Sequence, residues 1–272
     1  DRGLSATRSL ATGITTTTIF PDREEDALSP RLSVLYRITP EFSVNGSASR
    51  SFRAPTLNEL YRGFRVSNIV TNANADLRAE RAASFEGGAS FARGPFYLRG
   101  TGFYTETDRT VANVTLTVTP SLITRQRQNA GRTRSAGLEL DAELRISRLT
   151  LNAGYLFADS RVTEFPSNPS LVDRFIPQVP RQQFTFQARY AARRWDIGLQ
   201  GRAAGGQFDD DQNQFRLGAF FQLDGLLNLR VNEGLGLFLA AENIFNSRYP
   251  VGLTPLSTIA APASVRLGIR WK

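Results

Sequence analysis

In the stretch GLELDAELRI, residues 137–146, Leu138, Leu140, Ala142, Leu144 and Ile146 take every second position and Glu139, Asp141, Glu143 and Arg145 the positions between. A helix would scatter the two sets around its circumference, whereas a strand, with a side-chain period of two, sends them to opposite faces. The parity recurs in Leu149, Leu151, Ala153, Tyr155 and Phe157, in Phe184, Phe186, Ala188 and Tyr190, and through Leu217, Ala219, Phe221, Leu223, Leu227, Leu229 and Val231. The chain therefore reads as a series of amphipathic strands, expected near 9–20, 32–38, 42–52, 81–92, 96–107, 132–146, 149–159, 182–191, 195–207, 215–230, 235–247 and 262–271. Alternation alone does not say whether the apolar face meets a protein core or lipid.

The connections supply that distinction, because they alternate short and long. Thr39 to Glu41, Arg93 to Pro95, Ser147 with Arg148, Ala192 to Arg194 and Asn232 to Gly234 suit tight hairpin turns. Between them come the long links 53–80, 108–131, 160–181, 208–214 and 248–261. In an up-and-down meander successive connections fall at opposite ends, so the short turns collect at one rim and the long loops at the other. That asymmetry is the pattern of an outer-membrane barrel, and many runs reach the ~9–11 residues a tilted membrane strand needs. The expected fold is all-β, an antiparallel up-and-down transmembrane β-barrel with about twelve strands in this chain. Leu138, Leu140, Leu144, Ile146, Leu149 and Leu151 are then expected to face lipid. Glu139, Asp141 and Glu143, about 7 Å apart along one strand, are expected to line the interior rather than act as catalytic carboxylates. Tyr155, Phe157, Trp195, Phe245, Tyr249 and Trp271 are candidates for the interfacial aromatic girdle.

Composition narrows the function. Among 272 residues there is no cysteine and no histidine, which removes disulfides, thiolate and imidazole metal sites and every histidine-dependent catalytic mechanism. No cofactor and no enzymatic activity is indicated. The net charge of +8 rests on 33 basic residues, of which only Lys272 is lysine. The arginines are dispersed among acids instead of gathered into a stripe, so nucleic acid is not an expected partner. No run approaches the ~20 apolar residues of a membrane helix, and no basic start followed by an apolar run marks a signal peptide. A passive porin-like barrel, and from another class a soluble β-rich binding protein, remain alternative readings.

SFRAPTLNELYRGF at 51–64 resembles the motif that leads from a barrel strand into an extracellular loop in TonB-dependent outer-membrane receptors. In the family's order follow Asn129 and Gly131 with SAGLEL, PQVPRQQF at 177–184, GGQFDDDQN at 205–213, AENIFNSRYPVG at 241–252 and the closing VRLGIRW. The resemblance covers about residues 31–272, as one unit, and implies the carboxy-terminal part of a 22-stranded barrel. It implies active uptake of a scarce solute, such as a ferric siderophore or cobalamin, across the bacterial outer membrane. Implied partners are outer-membrane lipid, lipopolysaccharide and the TonB, ExbB and ExbD system, engaged through an amino-terminal plug and TonB box. No such plug or box is found here, so this chain alone is expected not to perform energised uptake. The family motif gives Phe52, Arg53, Pro55, Asn58, Glu59, Leu60, Tyr61, Asn243, Phe245, Asn246 and Tyr249 an anchoring role.

Two further sets are candidate binding residues. Arg53, Arg62, Arg65, Arg125 and Arg127 fall in the presumed extracellular loops, where planar guanidinium groups could hold an anionic solute or surface-lipid phosphate, or else bridge loop to loop. Asp209, Asp210 and Asp211, with Asn213, gather oxygen-bearing side chains that a hard cation could use. The spacing lacks the alternation of a dedicated calcium loop, and a solvated hairpin loop explains it as well.

Overall fold

The computed structural model describes residues 4–8, 15–20, 22–129, 131–254 and 256–271. Eleven strands form one sheet: β1 (Arg31–Arg37), β2 (Phe42–Arg53), β3 (Glu80–Arg93), β4 (Phe96–Asp108), β5 (Arg132–Ile146), β6 (Leu149–Glu164), β7 (Gln182–Ala191), β8 (Trp195–Ala204), β9 (Phe220–Arg230), β10 (Leu235–Glu242) and β11 (Ser264–Trp271). Each pairs antiparallel with its neighbours in sequence, and β1 and β11 are the two edges. The wall is an unbroken meander. All five short turns stand at one rim and all five long loops at the other, as the connection lengths require.

The register fixes the faces. Across β4 to β7 one face carries Leu138 opposite Phe157 and Gly102, then Tyr155 opposite Leu140 and Phe184. The other carries Asp141 opposite Arg99 and Gly154, then Asn152 opposite Glu143 and Gln187. A soluble sheet buries its apolar face, yet here Leu138 is 41% exposed and Leu229 42% exposed, with Leu140, Phe184, Ile197 and Leu199 similar. Among the described residues, nine of the ten buried hydrophobic ones, Ala158 excepted, lie outside the eleven-stranded wall. Such a sheet needs an apolar solvent on one side, which a bilayer provides. Gly137 lies where β5 and β6 approach closely: a methyl group on its α-carbon would collide with the Phe157 carbonyl and the Phe103 ring.

Several strand expectations need correction. The strand expected at 9–20 exists among the described residues only as Thr15–Ile19, paired with Leu4–Arg8 in a separate hairpin, while 9–14 lie outside the described residues. Among the described residues the wall therefore holds eleven strands, against about twelve expected. The run 215–230 divides, because Arg216–Leu217 pairs with Gln207–Phe208 in a loop hairpin and the wall strand begins at Phe220. The strand expected to reach 247 stops at Glu242, since Asn243 and Asn246 turn the chain at φ 49°, a left-handed conformation asparagine tolerates. Tyr249 is no girdle residue: it is buried and stacks on Phe220 with ring centroids 4.0 Å apart.

Candidate functional site

The long-loop rim folds into a cap with its own small core. In the first loop, Thr56 caps the helix Leu57–Tyr61, its Oγ1 accepting from Glu59 N while Glu59 Oε2 accepts from Thr56 N at 2.7 Å. The sequence carries the T-x-x-E pattern of such a box at 56–59, a signal that was not among the expectations above. Behind the helix, Phe64–Val66 and Ile69–Asn72 form a hairpin whose second strand runs parallel to Ile123–Asn129, itself paired with Val111–Val118. Two long loops thus share one four-stranded sheet. Val114 of this sheet packs with Phe165 and Leu171 from the next loop.

Polar side chains tie the loops together. Arg53 Nε donates to Glu80 Oε2 at 2.7 Å and its Nη1 to Glu59 Oε2 at 3.0 Å, joining the strand end, the helix and the start of β3. Burial pushes the Glu59 carboxyl up, but donation from Thr56 and Arg53 outweighs it and holds the group below the usual carboxylate range. Arg127 Nη1 donates to the carbonyls of Asn58 and Arg62, and its guanidinium lies 5.2 Å from the Phe64 ring centre. Asn129 Nδ2 donates to the carbonyls of Arg78 and Arg109, and its Oδ1 accepts from Arg78 N. Leu60 is the buried residue of the helix, the Tyr61 and Phe20 ring centres lie 4.2 Å apart with the rings tilted by 35°, and Phe52 is exposed.

The acidic run sends its carboxylates to three destinations. Asp209 Oδ2 accepts from Leu253 N at 2.8 Å, Thr254 N at 2.7 Å and Thr254 Oγ1 at 2.8 Å, and Oδ1 accepts from Gln178 Nε2 at 2.9 Å. Asp210 accepts from the backbone of Gln212, Gln214 and Phe215 in its own turn. Asp211 accepts from Thr115 N and Oγ1 of the four-stranded loop sheet. Asn213, at φ 58°, accepts from Phe175 N through Oδ1 and donates through Nδ2 to the carbonyls of Phe175 and Asp210. The cation reading of Asp209, Asp210 and Asp211 does not match this arrangement, because their oxygens hold N–H and O–H donors and, among the described residues, no three acidic groups converge as ligands. Burial raises the Asp209 carboxyl, yet the bonds from Gln178, Leu253 and Thr254 prevail and keep it below the usual range.

The last loop is closed by AENIFN. Asn243, 2% exposed, donates to the carbonyls of Ser247 and Ala261 and accepts from Ser247 N. Asn246 Oδ1 accepts from Ala263 N, and Tyr249 Oη donates to Gln222 Oε1 at 2.9 Å. Phe245 is exposed beside Phe221, and Pro55 is half-buried ahead of the first-loop helix.

The five candidate arginines do not form one cluster of equivalent groups. Arg53 and Arg127 hold the scaffold. Arg65 Nε donates to Ser67 O and leaves its other nitrogens open, and Arg62 is exposed. Arg125 has a buried Nε without a hydrogen-bond partner, which is costly unless a ligand or water supplies an acceptor. Glu80, Gln178 and Thr254 were missed by sequence reasoning. For Glu80 no local signal exists, because its partners Arg53 and Val111 are remote in sequence.

A family profile described as "TonB dependent receptor-like, beta-barrel" matches residues 6–244. The vitamin B12 transporter BtuB of Photobacterium profundum is 22% identical over 219 residues, covering 80% of this chain and 34% of its own. The pesticin receptor of Yersinia pestis is 24% identical over 238 residues, covering 83% of this chain and 32% of its own. The siderophore receptor PiuA of Acinetobacter baumannii superposes with a TM-score of 0.73 at 21% identity, covering 97% of this chain and 38% of that one. The chain thus spans about a third of the length of these curated relatives. With a lipid-facing wall, segregated rims and this match, the chain belongs to the TonB-dependent receptor β-barrel family of the bacterial outer membrane.

Proposed function

We propose that the protein carrying this chain takes up a scarce solute, of the ferric-siderophore or cobalamin kind, across the outer membrane with energy from the TonB, ExbB and ExbD system. The observation that carries this reading is the cross-stitched cap at the long-loop rim with Arg62, Arg65 and Arg125 still offering guanidinium donors. A passive pore has no need of so fixed a cap, whereas a receptor must hold a ligand in place before transport. Family relatives named as a vitamin B12 transporter and a siderophore receptor support the solute class. They are transporters and receptors, and catalysis forms no part of the proposal. The test is accumulation of ferric siderophore or cobalamin in a receptor-deficient strain expressing the full-length protein, with and without TonB. Accumulation that vanishes without TonB is expected. Accumulation indifferent to TonB would replace this reading with a passive pore.

A further inference from the structure

At the short-turn rim, five arginines line a cavity of about 500 Å³ between the ends of β7 to β11: Arg189, Arg193, Arg194, Arg230 and Arg270. The parity that turns Trp195, Leu229, Leu237 and Ile269 outward turns Arg230 and Arg270 inward, to the lumen side of the mouth. Gly236 stands opposite both, and on the other side Arg230 N donates to the Arg194 carbonyl at 2.6 Å. Arg194, Arg230, Gly236 and Arg270 thus form one row across four neighbouring strand ends, about 14 Å long. The glycine leaves a gap between two guanidinium groups, and Arg270 is steadied 5.3 Å from the Phe238 ring centre.

The row is not neutralised locally. The acids of the same cavity are Asp196 and Glu233. Asp196 Oδ2 accepts from Asn228 Nδ2 at 3.1 Å and lies 3.8 Å from Arg189 Nε. On the nearby end of β5, Arg145 and Glu143 satisfy each other. Arg193, Arg194, Arg230 and Arg270 are exposed and form no ion pair among the described residues. Even with Glu233 turned toward one of them, three positive charges remain, and like charges on adjacent strands repel. Asn228 adds a second demand. Its Nδ2 faces a carboxylate, so Oδ1 is the atom left over, a buried acceptor with no hydrogen-bond partner.

We propose that this row docks an acidic, extended segment of a partner protein in the periplasm, the side on which the short turns of such barrels stand. Its carboxylates meet Arg194, Arg230 and Arg270, its backbone crosses Gly236, and a backbone N–H serves Asn228. A small anion is too short for the row, and a lipid headgroup lies on the opposite face of the wall. The proposal rests on the membrane orientation of the family and not on the transported solute.

The test is fluorescence anisotropy with the full-length protein in phosphatidylcholine nanodiscs at low ionic strength. The probe is a fluorescein-labelled peptide of alternating glutamate and serine, and its control carries glutamine in place of glutamate. The glutamate peptide should bind in preference and be released by added salt, which screens contacts at an exposed rim. Arg230→Gln/Arg270→Gln should weaken it about tenfold or more. Arg37→Gln/Arg93→Gln, which removes the same charge from the same rim at β1 and β3, should bind as the parent does. A heat-modifiability gel establishes that each variant is folded, and if the first pair does not fold, Arg270→Gln alone should still weaken binding measurably. Absence of binding, equal binding of the two peptides, an unchanged affinity in the folded variant, an equal loss in the control pair, or tighter binding of a soluble muropeptide would each overturn the proposal.

Discussion

Asp209 joins three loops through four hydrogen bonds, and its replacement by alanine should open the cap without disturbing the wall. The residue is 8% exposed, and its carboxylate accepts from Leu253 N, Thr254 N, Thr254 Oγ1 and Gln178 Nε2, all between 2.7 and 2.9 Å. A hydrogen bond to a charged group contributes about 1.5–3 kcal/mol, but four to one carboxylate are not additive. Leu253 and Thr254 are half-buried, so water replaces part of what is lost. The expected loss is about 3 kcal/mol in closing the 243–263 loop onto the 205–219 loop, or roughly a hundredfold more opening. Hydrogen exchange of the full-length protein in nanodiscs reads this directly at the Leu253 and Thr254 amides. Asp209→Asn, which keeps the shape and loses the charge, should fall between parent and alanine variant. Unchanged exchange at 253 and 254 in Asp209→Ala would refute the assignment, as would an equal gain in exchange along β8 and β9, which would signal wall unfolding instead.

The same carboxylate predicts the direction of a pH effect. Its pKa in the folded cap lies below the ordinary ~3.9 of an aspartate in an open chain. A depressed folded value means that the stabilisation is fully present above the open-chain pKa and is lost as pH falls through the folded one. Protection at 253 and 254 should therefore be constant from neutrality to about pH 5 and decline only below about 3.9. A decline centred above pH 5 would contradict the sign.

Other perturbations separate wall from cap. Leu140→Arg should cost about 2–4 kcal/mol if placed near the bilayer midplane, while Asp141→Asn on the opposite face should be far milder, both measured by equilibrium folding into vesicles. Gly137→Ala should be destabilising by about 1–3 kcal/mol in the same assay, because its methyl group meets the Phe157 backbone carbonyl, which cannot step aside as a side chain would. Thr56→Ala removes one half of the capping box and should release the Glu59 amide by about 1 kcal/mol in hydrogen exchange, leaving the eleven-stranded wall untouched. Arg62→Gln with Arg125→Gln should weaken binding of an anionic solute about tenfold or more, whereas no change would remove these two from the binding surface.

The wall was legible because its rule is local. A two-residue period needs no knowledge of partners, and Leu138 to Ile146 disclosed both faces before any pairing was known. The rule misled where parity outran pairing: Leu217 continues the alternation of β9, yet it is 1% exposed in a loop hairpin, because nothing in a period of two distinguishes a wall strand from a strand folded above the rim. The loop strand Val111–Val118 carries the same kind of signal, with Val114, Leu116 and Val118 alternating against threonines, inside the segment 108–131 expected as a long link.

The cap was largely illegible for the complementary reason. Local devices leave a mark in the sequence, such as the T-x-x-E pattern at 56–59 or the asparagines at 243 and 246, although no cap or turn was among the expectations drawn from it. Side chains that act across tens of residues leave none. Arg53 and Arg62 look alike in sequence, but Arg53 meets Glu80, 27 positions away, and becomes part of the scaffold, while Arg62 stays open. Asp209 and Asp211 look like one cation loop, but the first reaches Thr254 and the second Thr115. The chemical role of a charged loop residue is set by whether a complementary group arrives to neutralise it, and arrival is a property of loop closure that composition does not contain. A guanidinium left without such a partner after the loops have closed is therefore a better guide to a binding surface than any cluster of arginines counted along the chain. By that criterion Arg125, whose buried Nε has no hydrogen-bond partner, and the exposed Arg62 are the rim arginines to test first.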